Sequence, residues 1–263
     1  MELTVSLAQM NIQIGNLEKN YLKALEFLKE ARKSHTQLIL FPELWSSGYD
    51  LKNQAQYARQ NQELISELCR QAQENGLYIG GSFITYEADH YYNTFTLIAP
   101  SGQVIGRYHK IHLFGPLNED RYFSPGHAPT VTPVAGLTSG LTICYDLRFP
   151  ELFRAYLNHN VDSFLLVAQW PAPRLEHWET LLRARAIENL ALVAACNAVG
   201  TTGKVTNGGG SMIVSPWGEV LARGSTREED FVRATIDPAS IGEIRSNFPA
   251  LQDRQQLHLT IRH

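Results

Sequence analysis

The stretch LTICYDLRFPELFR (141–154) opens as an apolar, β-rich run, closes as a helix-forming one, and carries Cys144 where the first gives way to the second. A cysteine that only fills core space has no need of a charged, proline-containing turn directly after it. A thiol at the end of a buried strand is instead placed to react, provided a base or a cation stands close by. The junction also bears on the fold, because a strand running into a helix is one half of an alternating α/β unit.

The alternation extends in both directions. Residues 3–9 and 37–41 are apolar and β-rich, and between them NLEKNYLKALEFLKEARKSH (16–35) sets Leu17, Tyr21, Leu25 and Leu28 on one predicted helical face. A second helix is predicted around 61–75. Strands follow at 77–86 and 94–100, the latter turning at PSG into QVIGRYHK (103–110) as a hairpin, so the sheet is expected to be mixed.

Beyond an irregular segment from 111 to 130 come a strand at 138–144, a helix from about 150 and a strand at 163–168. A helix at 176–190 then places Trp178, Leu181, Leu182 and Ile187 at helical spacing, and ALVAACNAVG (191–200) reads as the next strand. Strands near 210–215, 219–223 and 231–236 complete a second half. NGGGS (207–211) has glycines but no phosphate-binding helix after it, and reads as a flexible turn.

The 263 residues contain no Gly/Ser/Pro-rich linker, so one domain is expected over 1–263. Hydrophobic residues at 44% against charged ones at 19% suffice for a sizeable core. With a net charge of −3 and scattered Lys and Arg, nothing marks a nucleic-acid partner. No stretch approaches the roughly 20 apolar residues of a membrane helix, and MELTVSLAQM lacks a signal sequence; no membrane partner and a cytoplasmic location are expected. Cys69, Cys144 and Cys196 match no zinc or redox spacing, and Cys69 and Cys196 read as core residues.

Two further strand ends carry chemistry. In LILFPELWSSGYD (38–50) an apolar run meets Pro42 and Glu43, and in RYHKIHLF (107–114) Lys110 sits among aromatic and apolar neighbours. Strand ends are where sites collect in α/β folds. Glu43 can take a thiol proton, and Lys110 with the backbone N–H of Tyr145 can stabilise an oxyanion, so with Cys144 they make a complete acyl-transfer set. Two rival sets are weaker. A cysteine protease would pair Cys144 with His112 or His177 but lacks its local signatures, and His109 and His112 on a strand point to opposite faces with no third metal ligand. No metal or cofactor is expected.

FPELWSSGY (41–49), HKIHLF (109–114) and ICYDLRFPELFR (143–154) resemble, in order and spacing, the three catalytic motifs of the nitrilase superfamily of carbon–nitrogen hydrolases. The likeness continues through WPAPRLEHWETLLRARAIEN (170–189) and SPWGEVLA (215–222). It implies an α/β four-layer α-β-β-α sandwich, with Glu43 as general base, Lys110 as oxyanion stabiliser and Cys144 as nucleophile. Glu119, in NEDRYFSPG (118–126), matches a second glutamate that orients the lysine; Asn93 also matches a family position and is read as structural.

Within the superfamily, residues 168–189 look most like the ω-amidase branch, which hydrolyses the terminal amide of 2-oxoglutaramate or 2-oxosuccinamate. Such a substrate carries a carboxylate, for which Arg148, Arg174 and Arg183 are the candidate partners. Tyr49, Phe114 and Trp170 are candidates to line a small, partly apolar pocket. A nitrilase, an amidase acting on N-carbamoyl compounds or deaminated glutathione, and a non-enzymatic metabolite-binding protein are the alternatives. The resemblance also implies a homodimer or larger homo-oligomer.

Overall fold

The structure, a computed structural model, describes residues 2–202 and 205–255. Its two six-stranded sheets follow from the two halves of the sequence, with one exchange. The first sheet runs edge to edge through Asp230–Ile236 (β14), Leu3–Gln9 (β1), Leu38–Leu40 (β2), Tyr78–Glu87 (β3), His90–Ile98 (β4) and Val104–His109 (β5). The second runs through Val220–Arg223 (β13), Met212–Val214 (β12), Leu192–Asn197 (β9), Ser163–Ala168 (β8), Leu137–Ile143 (β7) and Val131–Val134 (β6). In each, three central strands are parallel and the flanking strands antiparallel.

The β period of two explains the layering. Leu38 and Leu40 join the core between the sheets with Val5, Leu7, Phe95, Leu97, Leu141, Ile143, Leu165 and Val167, while Ile39 and Phe41 point outward. That outward face is covered by Leu17–Lys33 (α1) and Gln54–Asn75 (α2), through Ala24, Phe27, Leu28, Ile65, Leu68 and Ala72. On the second sheet, Pro150–Leu157 (α4) and Leu175–Asn189 (α5) supply Phe153, Tyr156, Trp178, Leu182 and Ala186. Helix, sheet, sheet and helix thus form the four-layer sandwich. Each fully buried Leu, Val or Phe contributes about 1.5–3 kcal/mol.

Several local expectations are corrected. Strand 231–236 belongs to the first sheet, where β14 lies antiparallel to β1 in unbroken register from Leu3↔Ile236 to Gln9↔Asp230. Periodicity identifies a strand but not its partner. The α1 face that packs inward is Asn20, Ala24, Phe27, Leu28 and Ala31, rotated from the predicted one, because the small Ala24 and Ala31 let the helix approach the sheet. In α5, Trp178 and Leu182 face inward while Ile187 is exposed. Helix α2 begins at Gln54 rather than 61, its first two turns burying Tyr57 alone and so showing little apolar periodicity.

The NGGGS segment is neither loose nor wholly a turn. Asn207 and Gly208 end Val205–Gly208 (β11), which pairs with Val199–Thr202 (β10). Gly209 N–H donates to Ala198 O at 3.0 Å, Gly210 N–H to Ser225 O at 2.9 Å, and Trp178 Nε1–H to Gly210 O at 2.8 Å. Gly209 has φ +57°, and a Cβ there would lie 2.4 Å from Ser225 O, so close backbone approach demands glycine. The 111–130 segment contains a short helix, Glu119–Tyr122 (α3); Ala239–Asn247 (α6) follows β14. Cys196 is buried between the sheets, and Cys69 is a half-buried residue of α2 packed on the outer face of the first sheet. Among the described residues, no helix is long and apolar enough to cross a membrane.

Candidate active site

The sandwich brings the ends of β2, β5, β7 and β8 to one place. Glu43 lies just beyond β2, Lys110 directly follows β5, and Cys144 directly follows β7. Cys144 has φ +44°, a left-handed conformation that a side-chain-bearing residue adopts only when its surroundings enforce it. The 3₁₀ turn Cys144–Arg148 starts there, so the strand reverses at the thiol. Tyr145 is the second residue of that turn, and its N–H is among the leading donors that a helical turn leaves without an internal acceptor.

Glu43, Lys110 and Glu119 are all fully buried. Lys110 Nζ donates to Glu43 Oε1 at 2.7 Å and to Glu119 Oε2 and Oε1 at 2.7 and 2.9 Å. Asn93 Nδ2–H donates to Glu43 Oε1 at 2.9 Å and to Glu119 Oε1 at 3.3 Å, so this residue, expected to be structural, touches both carboxylates. Tyr49 OH donates to Glu119 Oε1 at 3.0 Å, and Phe114 N–H to Glu119 Oε2 at 2.6 Å. Gln169, just after β8, was not foreseen: its N–H donates to Glu43 Oε2 at 3.0 Å and its Nε2–H to Glu43 O at 2.8 Å. A polar residue ending the apolar run SFLLVA is the same signal that marked Glu43 and Cys144.

Burial pulls the Lys110 ammonium down, but Glu119, Glu43 and Cys144 outweigh it and hold its pKa above the usual lysine value. Glu119 is pushed up by burial, against the lowering effect of Lys110. The Cys144 thiol is pushed well up, first by burial and then by the Glu43 charge, so at neutral pH it keeps its proton. The charged groups that act on it are Glu43, Lys110 and Glu119. His112 is engaged with Asp146, His177 with Arg148, and His109 with Glu87 and Thr94.

A cavity of about 220 Å³ opens over the thiol. Of the residues singled out in the sequence, Tyr49, Phe114, Trp170, Arg148 and Arg174 line it, and Pro116, Leu117, Gln169 and Val205 join them. The Arg148 guanidinium lies 4.8 Å from the Trp170 ring centroid, and that of Arg174 lies 5.6 Å from the Phe114 centroid. Neither meets an acidic side chain among the described residues. Arg183 is the exception. It is on the exposed side of α5, where its Nε–H donates to Gly218 O at 3.1 Å, and helical spacing alone did not reveal which side of the helix met the cavity.

A four-layer α-β-β-α sandwich carrying a cysteine beside a buried Glu–Lys–Glu cluster has the architecture of the nitrilase superfamily. The chain belongs to the carbon–nitrogen hydrolase family, which it matches over residues 4–246, and it acts on non-peptide amide C–N bonds. It is 39% identical over 255 residues to a 2-oxoglutaramate amidase of Bacillus subtilis, covering 96% of this chain and 98% of that one. In structure it is similar to the CN-hydrolase superfamily protein XC1258 of Xanthomonas campestris, whose active site carries an arsenic adduct: TM-score 0.92, 29% identity, 99% and 100% of the two chains. It is also similar to a Glu-to-Gln variant of the amidase from Nesterenkonia sp. AN1, with the acetamide moiety of fluoroacetamide covalently added at the active-site cysteine. There the TM-score is 0.84 at 26% identity, over 94% and 96% of the chains.

Proposed function

We propose that this enzyme hydrolyses the terminal amide of a short 2-oxo dicarboxylate monoamide, 2-oxoglutaramate or 2-oxosuccinamate, through a thioester on Cys144. The observation that carries the substrate reading is the Arg148 guanidinium, stacked on Trp170 in the wall of the cavity that holds the thiol. A cation that meets no acidic side chain among the described residues, in a small apolar pocket, suits a substrate carboxylate. At about 220 Å³ the cavity is below the size that takes drug-sized ligands, which favours a short-chain amide over a peptide-like one such as deaminated glutathione.

Glu43 takes the thiol proton as sulfur attacks the amide carbon. Lys110 and the Tyr145 N–H stabilise the resulting oxyanion. The intermediate collapses by breaking C–N, and Glu43 returns the proton so that ammonia leaves. Water then attacks the thioester with Glu43 again as base, releasing the carboxylic acid and restoring the thiol. Glu119 holds Lys110 from the opposite side. The adduct on the cysteine of the Nesterenkonia amidase supports the nucleophile assignment, and the name of the Bacillus relative supports the substrate. The whole chain acting as one domain, assembled as a homodimer in the cytoplasm, completes the reading.

Ammonia release tests it. 2-Oxoglutaramate is expected to be turned over with kcat/KM well above that for glutamine, whose 2-ammonium group brings an unpaired charge into the pocket. Arg148→Ala is expected to raise KM more than it lowers kcat, and Arg174→Ala serves as the comparison. Efficient turnover of an N-carbamoyl amine with none of 2-oxoglutaramate would overturn the substrate reading.

A further inference from the structure

We propose that Asp146 is a positioning residue that locks the Cys144 turn of the second sheet to the Lys110 segment of the first, fixing the separation of thiol and ammonium. The inference rests on the roles assigned above to Cys144 and Lys110. Asp146 is fully buried, does not line the cavity, and takes no part in that chemistry.

Among the described residues, its side chain hydrogen-bonds to residues flanking those two. Oδ2 accepts from Ile143 N–H at 2.9 Å and from Tyr108 OH at 2.8 Å. Oδ1 accepts from His112 N–H at 3.1 Å and, with the ring proton on that nitrogen, from His112 Nδ1 at 2.8 Å. Ile143 immediately precedes Cys144, while Tyr108 and His112 stand two residues to either side of Lys110. One carboxylate therefore joins β5 and its exit to the end of β7. Four donors on two oxygens is the pattern of an acceptor-only, ionised carboxylate, and such charge-assisted bonds are the short, strong kind.

The lock has a backing. The His112 ring stacks on Phe149, the residue that ends the same turn, with centroids 3.7 Å apart and planes 6° from parallel. Arg185, buried under the turn, donates from Nε and Nη2 to Leu147 O at 3.2 and 2.8 Å. The turn that puts Cys144 at φ +44° is thus held from β7, from α5 and from the lysine segment together. A left-handed cysteine has alternatives of lower strain, and Asp146 is the group that bonds to both sides of the junction.

The test compares Asp146→Asn, His112→Ala and His112→Asn in the full chain, using the amide from which the wild type releases ammonia fastest. Asparagine keeps one acceptor but points an N–H₂ at donors, and is expected to lower kcat by about tenfold to a hundredfold, as a small misplacement of reacting groups does, with KM within about threefold. Chloroacetamide alkylation of Cys144, per folded molecule counted by circular dichroism, is expected to fall in parallel. His112→Ala should show a smaller loss of the same kind, and His112→Asn, whose Nδ2–H replaces Nδ1–H, should recover most of it. Wild-type kcat and alkylation rate in the folded variants, with only thermal stability reduced, overturns the proposal alone. An unlabelled Cys144 in the wild type overturns both it and the nucleophile reading. If Asp146→Asn does not fold, the His112 pair decides: recovery in Asn supports the lock, and equal behaviour of Ala and Asn overturns it.

Discussion

Two carboxylates and one ammonium already occupy the buried cluster, so a resting thiolate at Cys144 would add a further negative charge where burial penalises it. The raised thiol pKa follows, and it makes Glu43 indispensable in the proposed chemistry as the proton acceptor at the moment of attack. Glu43→Gln is accordingly expected to slow chloroacetamide alkylation of Cys144 by about a hundredfold while leaving the fold intact. Lys110→Met leaves Glu43 and Glu119 facing each other without a counter-ion and is expected to cost about 3–5 kcal/mol of stability as well as activity. Alkylation of Glu43→Gln at the wild-type rate would sink the base assignment. Glu43, Lys110 and Cys144 were legible in the sequence because each ends a β-rich run with an ionisable side chain. Gln169 and Asp146 were not singled out, because what makes them important is a partner far away in the chain: Glu43 for Gln169, Tyr108 and His112 for Asp146.

Elements were legible to the extent that their pattern is local. The β4–β5 hairpin and the strand-to-turn junction after β7 both matched expectation, since apolar runs and turn residues mark them directly. The β10–β11 pair escaped, being rich in Gly, Thr and Asn, and so did the inward face of α1, which depends on how closely a small residue lets the helix approach. The exit of β5 depends on such an approach. Gly126 N–H donates to Lys110 O at 2.9 Å, and a Cβ on Gly126 would lie 2.1 Å from His109 O. Backbone cannot yield as a side-chain tip does. Gly126→Ala is therefore expected to destabilise by about 1–3 kcal/mol and to lower kcat by displacing Lys110. A variant with unchanged Tm and kcat would show that the loop moves freely.

On the scale of the whole molecule, the interior holds many groups that must stay neutral. Burial pushes up the thiols of Cys144 and Cys196 and the hydroxyls of Tyr49, Tyr108 and Tyr156. For a group whose pKa is raised on folding, the protonated form is the one the fold favours. Its contribution is complete below the unfolded value, about 8.5 for a thiol and 10 for a tyrosine, and is lost as pH rises towards the folded one. Tm is expected to hold to about pH 8.5 and then to fall, with a shallower slope in Cys196→Ala. A Tm that is level or rising between about pH 9 and 10.5 would contradict this. The four layers also impose an order in time. Because β14 is the outer neighbour of β1, the ribosome makes the first strand of the first sheet long before the strand that covers its edge, and the whole second sheet is translated in between. Throughout that interval the nascent chain presents an open row of backbone donors and acceptors along β1, the kind of edge that invites pairing with a neighbouring chain. In the sheet that carries Glu43 and Lys110, β1 gains its outer partner only when Asp230–Ile236 emerges.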